Sequence, residues 1–356
     1  TRASMTGRSP LRHAVAAAFV LLLAGFSTPT LRAELREPAT SVASVAPAAA
    51  AEVTSVGPGV HPRVELDATR NMIERFPDPA VLRVGDTYYA YATRQGPLNI
   101  QVVTSKDLVY WSEPRNALPA VPDWAQVRTW APAVVQRGTT FVMWYTTRDR
   151  ASARQCISVA TAADPLGPFI DRSSAPAICQ VDRGGSIDPE VFVDADGASY
   201  LHWKSEDNAL GQPTSLWAAR LNADATVAGT PVPLLTASPG WQGRLVEGPA
   251  MALDAGRYYL FYGANAWNTA AAAIGYAQCA GPLGPCLDRS QAAPWVASEQ
   301  RFVGPSGPHV FRDADGALRV AYHAWDGCVG PPPCNRATIL RRLAFTEAGP
   351  RILGDR

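Results

Sequence analysis

The chain has 356 residues, of which 47% are hydrophobic and 18% are charged, and its formal net charge is +1. This composition excludes a disordered or collagen-like chain, and the length suits one large domain or two ordinary ones. Lys and Arg (32) nearly balance Asp and Glu (31), so the chain lacks the basic excess with which proteins neutralise phosphates. Nucleic acid is therefore not an expected partner.

The first 33 residues have the layout of a secretory signal peptide. Met5, taken as the start, is followed by Arg8, by the uncharged apolar run 14–26 and by small and polar residues up to Ala33, near which we expect cleavage. The apolar run is short for a bilayer span, although a retained membrane anchor of the same composition is the alternative. We expect a secreted protein with no membrane association after cleavage.

Residues 34–62 are rich in Ala, Pro, Ser and Val and have neither helical nor alternating periodicity. We interpret them as a linker that joins the signal peptide to a single domain over residues 63–356.

The six cysteines allow 15 sets of three disulfides, and export would place them in an oxidising compartment. Two pairs flank short loops rich in Gly and Pro, which leaves the remaining two cysteines for each other. The spacings do not suit a tetrahedral metal site, so no metal site is predicted. The predicted disulfides are Cys156–Cys179, Cys279–Cys286 and Cys328–Cys334.

Five segments of the chain share one pattern, in which a proline is followed by a short apolar strand, a turn and an aromatic strand. The prolines, spaced 53 to 60 residues apart, are Pro79, Pro132, Pro189, Pro249 and Pro308. Alternating strands at this period are typical of blades repeated around an axis. The sequence predicts an all-β, five-bladed β-propeller with four-stranded antiparallel blades around a central channel. A pair of β-sandwiches, the alternative, would not produce a regular fivefold spacing.

Three of the repeats place an acid where the innermost strand begins. Asp78 and Asp188 directly precede the proline, and Glu247 lies two residues before it. A single Asp-Pro is common in turns, but desolvating three carboxylates near one another is costly, so three acids in register indicate a function. Glycoside hydrolysis uses such a set: one carboxylate activates water, and another, whose pKa a third carboxylate can raise, protonates the leaving oxygen.

These residues resemble glycoside hydrolase family 43, whose five-bladed propeller enzymes act on arabinofuranosides and xylosides. The resemblance covers about residues 76–343. The matching stretches are 78–81 (DPAV) with 85–89 (GDTYY), 130–132 (WAP), 158–161 (SVAT) with 165–169 (PLGPF), 185–189 (GSIDP), 247–249 (EGP) with 258–262 (YYLFY), and 322–325 (YHAW).

The resemblance implies a role for each acid. Asp78 would be the general base and Glu247 the general acid, while Asp188 would raise the pKa of the acid and orient it. Members of the family invert configuration, which implies catalytic carboxyl groups about 6.5–9.5 Å apart. Trp130 would stack on a sugar ring, or else pack in the core, and Arg336 would point into the pocket, or else be an ordinary exposed arginine.

Some positions depart from the family pattern. Ala133 stands where the family frequently has an acid. Many members have a channel histidine that helps to hold calcium, but the corresponding stretch here is 304–307 (GPSG) and His309 follows two residues later. His309 remains a candidate substrate-binding residue, and the departure argues against a structural calcium, so no cofactor is expected to be required. Glu190, two residues after Asp188, is a rival carboxylate.

Together these features predict a secreted, monomeric, inverting hydrolase whose catalytic domain spans residues 63–356. The predicted substrates are plant polysaccharides such as arabinan and arabinoxylan, and exo α-L-arabinofuranosidase activity is favoured over endo-arabinanase and β-xylosidase activity. A non-catalytic carbohydrate-binding propeller is the alternative from another class, although retention of all three acids argues against it. A retaining, fructoside-cleaving propeller would need Asn-Asp-Pro and Arg-Asp-Pro motifs, which the chain lacks.

Overall fold

A computed structural model of the protein describes residues 72–354. The predicted signal peptide and linker lie outside these residues. The regular structure in them is almost entirely β-strand, with two short 3-10 turns at Val181–Arg183 and Asp207–Leu210. No helix among the described residues is long and apolar enough to cross a membrane.

The strands form five antiparallel sheets, which are the five blades of the predicted propeller. Strand β1 (Met72–Ile73) comes first in the chain. Blade I contains β2 to β5: Ala80–Val84, Thr87–Ala92, Gln101–Ser105 and Arg115–Asn116. Blade II contains β6 to β8: Ala125–Arg137, Thr140–Asp149 and Gln155–Ala162. Blade III contains β9 to β12: Ser186–Val193, Ser199–Ser205, Ser215–Leu221 and Val227–Thr236.

The last two blades continue this order. Blade IV contains β13 to β16: Val246–Asp254, Arg257–Ala264, Ala273–Cys279 and Cys286–Asp288. Blade V contains β17 to β20, together with β1: Phe302–Arg312, Leu318–Asp326, Arg336–Thr346 and Gly349–Leu353. The five-bladed propeller is therefore confirmed.

Blades II and V differ from the predicted four strands. Blade II has three, because the segment after β8 pairs with it only through isolated bridges, Thr161 with Ile170 and Ile157 with Ile178, and contains Pro165 and Pro168, which cannot donate to a ladder. Blade V has five, because β1 and β20 both pair with β19. Since β1 precedes blade I in the chain, its pairing in blade V ties the first blade to the last.

The apolar core is divided into five layers, one between each pair of neighbouring blades. Strand β7 shows how the sequence builds two layers at once. Met143 and Tyr145 pack towards blade I, while Val142 and Trp144 pack towards blade III. Side chains alternate between the two faces of a strand, so a middle strand that is buried on both faces needs a continuous run of large apolar residues.

The innermost strand of each blade is interrupted at the repeated proline. In blades II to V the pairing register shifts at this point, and in blade I strand β2 begins just after Pro79. Proline has no N–H to donate, so the ladder is broken by a bulge. The residue before the proline has φ between 41° and 58° in every blade: Asp78, Ala131, Asp188, Gly248 and Gly307. The bulge turns these residues towards one mouth of the channel.

Side chains from the preceding blade bind the free N–H groups of four of these bulges. A bulge leaves a backbone donor without a strand partner, and such a donor needs another acceptor when it is buried. The contacts are Asp78 N to His323 Nδ1 (3.1 Å), Ala131 N to Thr93 Oγ1 (2.9 Å), Asp188 N to Thr146 Oγ1 (3.1 Å) and Gly248 N to Asp188 Oδ2 (3.0 Å). The repeated proline therefore also links neighbouring blades around the channel mouth.

All three predicted disulfides are present, and the described residues contain no free cysteine. Cys156 of β8 is joined to Cys179, and the Cys279–Cys286 bridge joins β15 to β16. The Cys328–Cys334 bridge closes the loop between β18 and β19.

Candidate active site

A cavity of about 440 Å³ opens at the channel mouth and is lined by residues from all five blades. This volume is typical of small-molecule sites. Below it, the channel narrows to a space of about 50 Å³ lined by the five proline bulges. Asp78, Asp188 and Glu247 line both spaces, so the three acids stand where the cavity meets the channel.

The structure brings five of the six predicted site residues into this cavity. Trp130 and Arg336 line its wall together with the three acids. His309 lies instead in the narrow channel, where its Nε2 is 3.1 Å from the carbonyl oxygen of Val81. Glu190, the rival carboxylate, also lines the channel, and its Oε2 lies 3.3 Å from Nδ1 of His202.

The described channel residues do not form the ligand set of a calcium ion. Calcium binds six to eight oxygen ligands. Among residues 72–354, no group of three His, Cys, Asp or Glu side chains is placed to hold a metal ion. His309 stacks on Phe311 and is engaged with a backbone carbonyl. We therefore assign no chemical step to a metal.

Asp78 is held in a polar cradle. Its Oδ1 accepts a hydrogen bond from Nη1 of Arg336 (3.2 Å) and lies 3.2 Å from Nδ1 of His323, while Thr93 Oγ1 donates to Oδ2 (2.5 Å). Burial alone would raise the pKa of Asp78, but the charge of Arg336 and the hydrogen bond from Thr93 outweigh it and hold the pKa well below its usual range. Asp78 therefore stays ionised.

His323 is the neutral partner in this cradle. Burial lowers its pKa, and the charge of Arg336 lowers it further, against the opposing effect of Asp78. Since a histidine with a lowered pKa is uncharged near neutral pH, Arg336 is the cation that faces Asp78.

Asp188 and Glu247 form the opposite side of the site, on the neighbouring blades III and IV. Asp188 Oδ2 accepts the N–H of Gly248, which directly follows Glu247, and this contact fixes the backbone that carries Glu247. Burial raises the pKa of Asp188 well above its ordinary value, and the charge of Glu247 adds to the effect. Burial also raises the pKa of Glu247, and Asp78 adds to it. The pair therefore keeps a proton to higher pH than isolated carboxyl groups do.

Lys204 is a site residue that sequence reasoning missed. Its side chain is only 2% exposed, and its Nζ lies 2.7 Å from Oε1 of Glu206 and 3.5 Å from Oε2 of Glu247. Burial lowers the pKa of Lys204, but the charges of Glu247 and Glu206 outweigh it and raise the pKa. Lys204 therefore stays charged and opposes the rise in the pKa of Glu247.

A signal for Lys204 is present in the sequence. Only two of the 32 basic residues are lysines, and one of them lies on a middle strand of the propeller. In its own blade, Lys204 pairs with Ile187, which directly precedes the bulge residue. Thr146 and His323 pair with the corresponding residues of blades II and V, and both bind bulge N–H groups. The fivefold alignment of the middle strands would have placed Lys204 at the channel mouth.

Trp267 is a second wall residue that the sequence did not reveal. It is 43% exposed, and its ring stacks on Trp325 with centroids 6.0 Å apart. The guanidinium carbon of Arg336 lies 4.6 Å from the centroid of the Trp267 ring. An exposed indole at a cavity wall offers an apolar face to a sugar ring. Trp267 lies in the loop after β14, outside the repeated pattern, so no motif marked it.

The sequence matches the family profile described as "Glycosyl hydrolases family 43" over residues 69–350. A relative in Aspergillus flavus named "Probable arabinan endo-1,5-alpha-L-arabinosidase A" is 25% identical over 300 residues, which cover 77% of this chain and 90% of the relative. An "Arabinoxylan arabinofuranohydrolase" from Paenibacillus polymyxa is 25% identical, over 70% of this chain and 43% of its own length. Several other relatives have names that begin with "Extracellular".

The fold has solved counterparts. The crystal structure of a thermostable family-43 glycoside hydrolase superposes with a TM-score of 0.71 at 29% identity, covering 80% of this chain and 94% of that one.

Substitutions of Asp188 and Asp78 are expected to change stability in opposite directions. Asp188→Asn removes a buried carboxyl group whose ionisation is unfavourable, so at pH 8 it should stabilise the protein by about 1 kcal/mol. Asp78→Asn leaves Arg336 without its anionic partner and should destabilise the protein by about 1.5–3 kcal/mol. Denaturant unfolding at pH 8 and at about pH 4 measures both effects.

The two effects should also depend differently on pH. The pKa of Asp188 is raised, so the wild type loses stability as pH rises through it, and the gain from Asp188→Asn should shrink towards about pH 4. The pKa of Asp78 is lowered, so ionised Asp78 stabilises the fold until the pH falls through that low value. The destabilisation caused by Asp78→Asn should therefore persist at about pH 4. A stabilising Asp78→Asn would contradict the assigned charge states.

Proposed function

The chain belongs to glycosyl hydrolase family 43 and is a glycoside hydrolase, and from this premise we propose that it is a secreted, inverting, exo-acting α-L-arabinofuranosidase. The proposal rests above all on the three acids at the junction of cavity and channel, with one of them ionised and the other two sharing raised pKa values.

Asp78 is the proposed general base. Because its lowered pKa keeps it ionised in the free enzyme, Asp78 can accept a proton from the water that attacks the anomeric carbon. Arg336 and Thr93 hold its two oxygens in place, so the carboxylate is oriented before substrate binds.

Glu247 is the proposed general acid. It lies in a buried environment that favours the protonated carboxyl group, which can then protonate the leaving oxygen. Asp188 positions Glu247 through Gly248 and shares a proton with it, while Lys204 limits the rise in the pKa of Glu247. An acid whose pKa is only moderately raised can still lose its proton to the leaving group.

The position of the acids in the ring supports inversion. Glu247 and Asp188 stand on adjacent blades, as expected for a pair that shares a proton. Asp78 stands on blade I, which is not adjacent to blade IV, so the base and the acid lie across the mouth from each other. Inverting enzymes need this larger separation because a water molecule must fit between the base and the sugar.

The shape of the cavity supports exo action. Its floor narrows into a channel with a volume of about 50 Å³, so a sugar unit that enters the cavity meets a closed end. Relatives named for arabinan and arabinoxylan support an arabinofuranosyl substrate. Endo-arabinanase activity is the second candidate, because the Aspergillus flavus relative, matched over 90% of its length, is named as an endo-acting enzyme.

Secretion is supported by two independent observations. The domain contains three disulfides, and disulfides persist mainly in oxidising compartments. Several relatives have names that begin with "Extracellular".

The substrate assignment can be tested with aryl α-L-arabinofuranoside, aryl β-D-xyloside and linear arabinan. We expect turnover of the first and release of single arabinose units from the third. Asp78→Asn and Glu247→Gln should each lower kcat by about 10²–10⁴-fold without loss of folding. Faster turnover of the xyloside, or arabinan products longer than one unit, would contradict the proposal.

The charges around Glu247 should set the alkaline limb of the pH–rate profile, since a general acid loses activity as pH rises through its pKa. Asp188→Asn removes the carboxyl group that shares a proton with Glu247 and should move this limb to lower pH by about one unit. Lys204→Met removes a positive neighbour and should move it to higher pH by a similar amount.

The matched control is Lys106→Met, which removes the other lysine, an exposed residue paired with Asp86. It should leave the profile of kcat/KM against pH unchanged. A shift of the alkaline limb in the same direction for Asp188→Asn and Lys204→Met would contradict the assignment of Glu247 as the acid.

A further inference from the structure

A second cavity, of about 300 Å³, lies beside the first one. The two share Thr93, Trp267 and Arg336 as lining residues. The remaining wall comes from residues near Arg75 and Arg94 and from the loop that the Cys328–Cys334 disulfide closes. A substrate longer than one sugar could therefore extend past Trp267 and Arg336 into this second cavity.

The second cavity is basic. Its charged lining residues are Arg75, Arg94 and Arg336, and no Asp or Glu lines it. Arg336 is engaged by Asp78, but among the described residues the side chain of Arg94 donates only to the carbonyl oxygen of Gly96 (3.1 Å). The side chain of Arg75 has no hydrogen bond or ion pair with any residue in the described range 72–354. Two arginines thus line the cavity, and neither forms an ion pair with a residue in the described range.

Neutral polar groups complete the lining. Gln95 and Asn335 contribute amide side chains. Amide side chains donate hydrogen bonds to sugar hydroxyl groups and accept them.

The wall of this cavity is anchored at both ends of its loop. The disulfide joins Cys328 to Cys334, and the N–H of Asp326 donates to the carbonyl oxygen of Asn335 (3.0 Å). Pro332 and Pro333 line the cavity within the same loop. The prolines and the disulfide restrict the loop before a ligand binds, so the loop loses less conformational entropy on binding. The cavity is therefore largely preformed.

We propose that this second cavity is a subsite for a hexuronic acid unit of the polysaccharide, next to the sugar that the enzyme releases. Arg75 and Arg94 bind the carboxylate, because guanidinium groups make charge-assisted, often bidentate hydrogen bonds to carboxylates. The amide groups of Gln95 and Asn335 bind hydroxyl groups of the sugar. The placement next to the site of cleavage rests on the proposed function.

Equilibrium binding tests this subsite without catalysis. In the Glu247→Gln background, calorimetry compares xylotriose with xylotriose carrying a glucuronic acid branch, and neutral arabinotriose with trigalacturonate. We expect at least one acidic sugar to bind about tenfold more tightly than its neutral counterpart at low salt. The acidic oligosaccharide that binds more tightly than its neutral counterpart identifies the unit as a glucuronate branch or a galacturonate. Because Arg75 and Arg94 are exposed, the preference should weaken at high salt.

The Arg75→Gln/Arg94→Gln double variant should lose most of this preference. The matched control, Arg289→Gln/Arg351→Gln, removes two exposed arginines elsewhere on blades IV and V and should retain it. A third variant, Arg75→Lys/Arg94→Lys, keeps both charges and should retain part of the preference. It shows whether the glutamine variant loses the preference because the charges are removed or because the protein misfolds.

Equal binding of acidic and neutral sugars would overturn the subsite, as would an equal loss of preference in both glutamine double variants. Failure of the wild type to hydrolyse aryl α-L-arabinofuranoside would overturn the proposed function instead, and the binding result would stand independently.

Discussion

The repeated proline in the innermost strand of each blade is the constraint on which the site depends. Because proline cannot donate to the neighbouring strand, the ladder breaks, and the preceding residue takes a positive φ that turns it towards the channel mouth. Asp tolerates this backbone better than most residues, which suits it to two of the five positions. The freed N–H groups bind side chains of the preceding blade, so the same break that presents the acids also locks adjacent blades together. The closure of the propeller and the assembly of the site therefore depend on the same set of interactions.

The blades then give similar carboxyl groups different protonation behaviour. Asp78 faces Arg336 and remains an anion, while Asp188 and Glu247 face each other in a buried environment and retain a proton. Environments that push the pKa values of carboxyl groups apart are the basis of acid and base roles in glycosidases. Lys204 adjusts this balance from the middle strand of blade III, at a position where blades II and V use Thr146 and His323 to bind backbone. The same middle-strand position thus binds backbone N–H groups in blades II and V and places a charge beside the acids in blade III.

Much of the fold and of the site could be predicted from the sequence, because both depend on local sequence patterns that repeat in each blade. The five prolines indicated the blades, the acids beside them indicated the site, and the loop spacing of the cysteines indicated the three disulfides that the structure contains. What the sequence did not reveal depends on the closed ring. Trp267 sits in a loop outside the repeat, Lys204 becomes a neighbour of Glu247 only when blades III and IV pack, and His309 faces the narrow channel because its strand continues past the bulge. The shared edge of β19 likewise joins chain segments that are distant in sequence.

The assignment of base and acid on opposite sides of the mouth is tested most directly by the stereochemistry of the first product. Hydrolysis of an aryl α-L-arabinofuranoside can be followed by proton NMR, before the released sugar equilibrates between its anomers. Attack by a water molecule held by Asp78, with Glu247 protonating the leaving oxygen, predicts that β-L-arabinofuranose appears first. Initial appearance of the α-anomer would mean that a covalent intermediate forms, and it would contradict the roles assigned to Asp78 and Glu247.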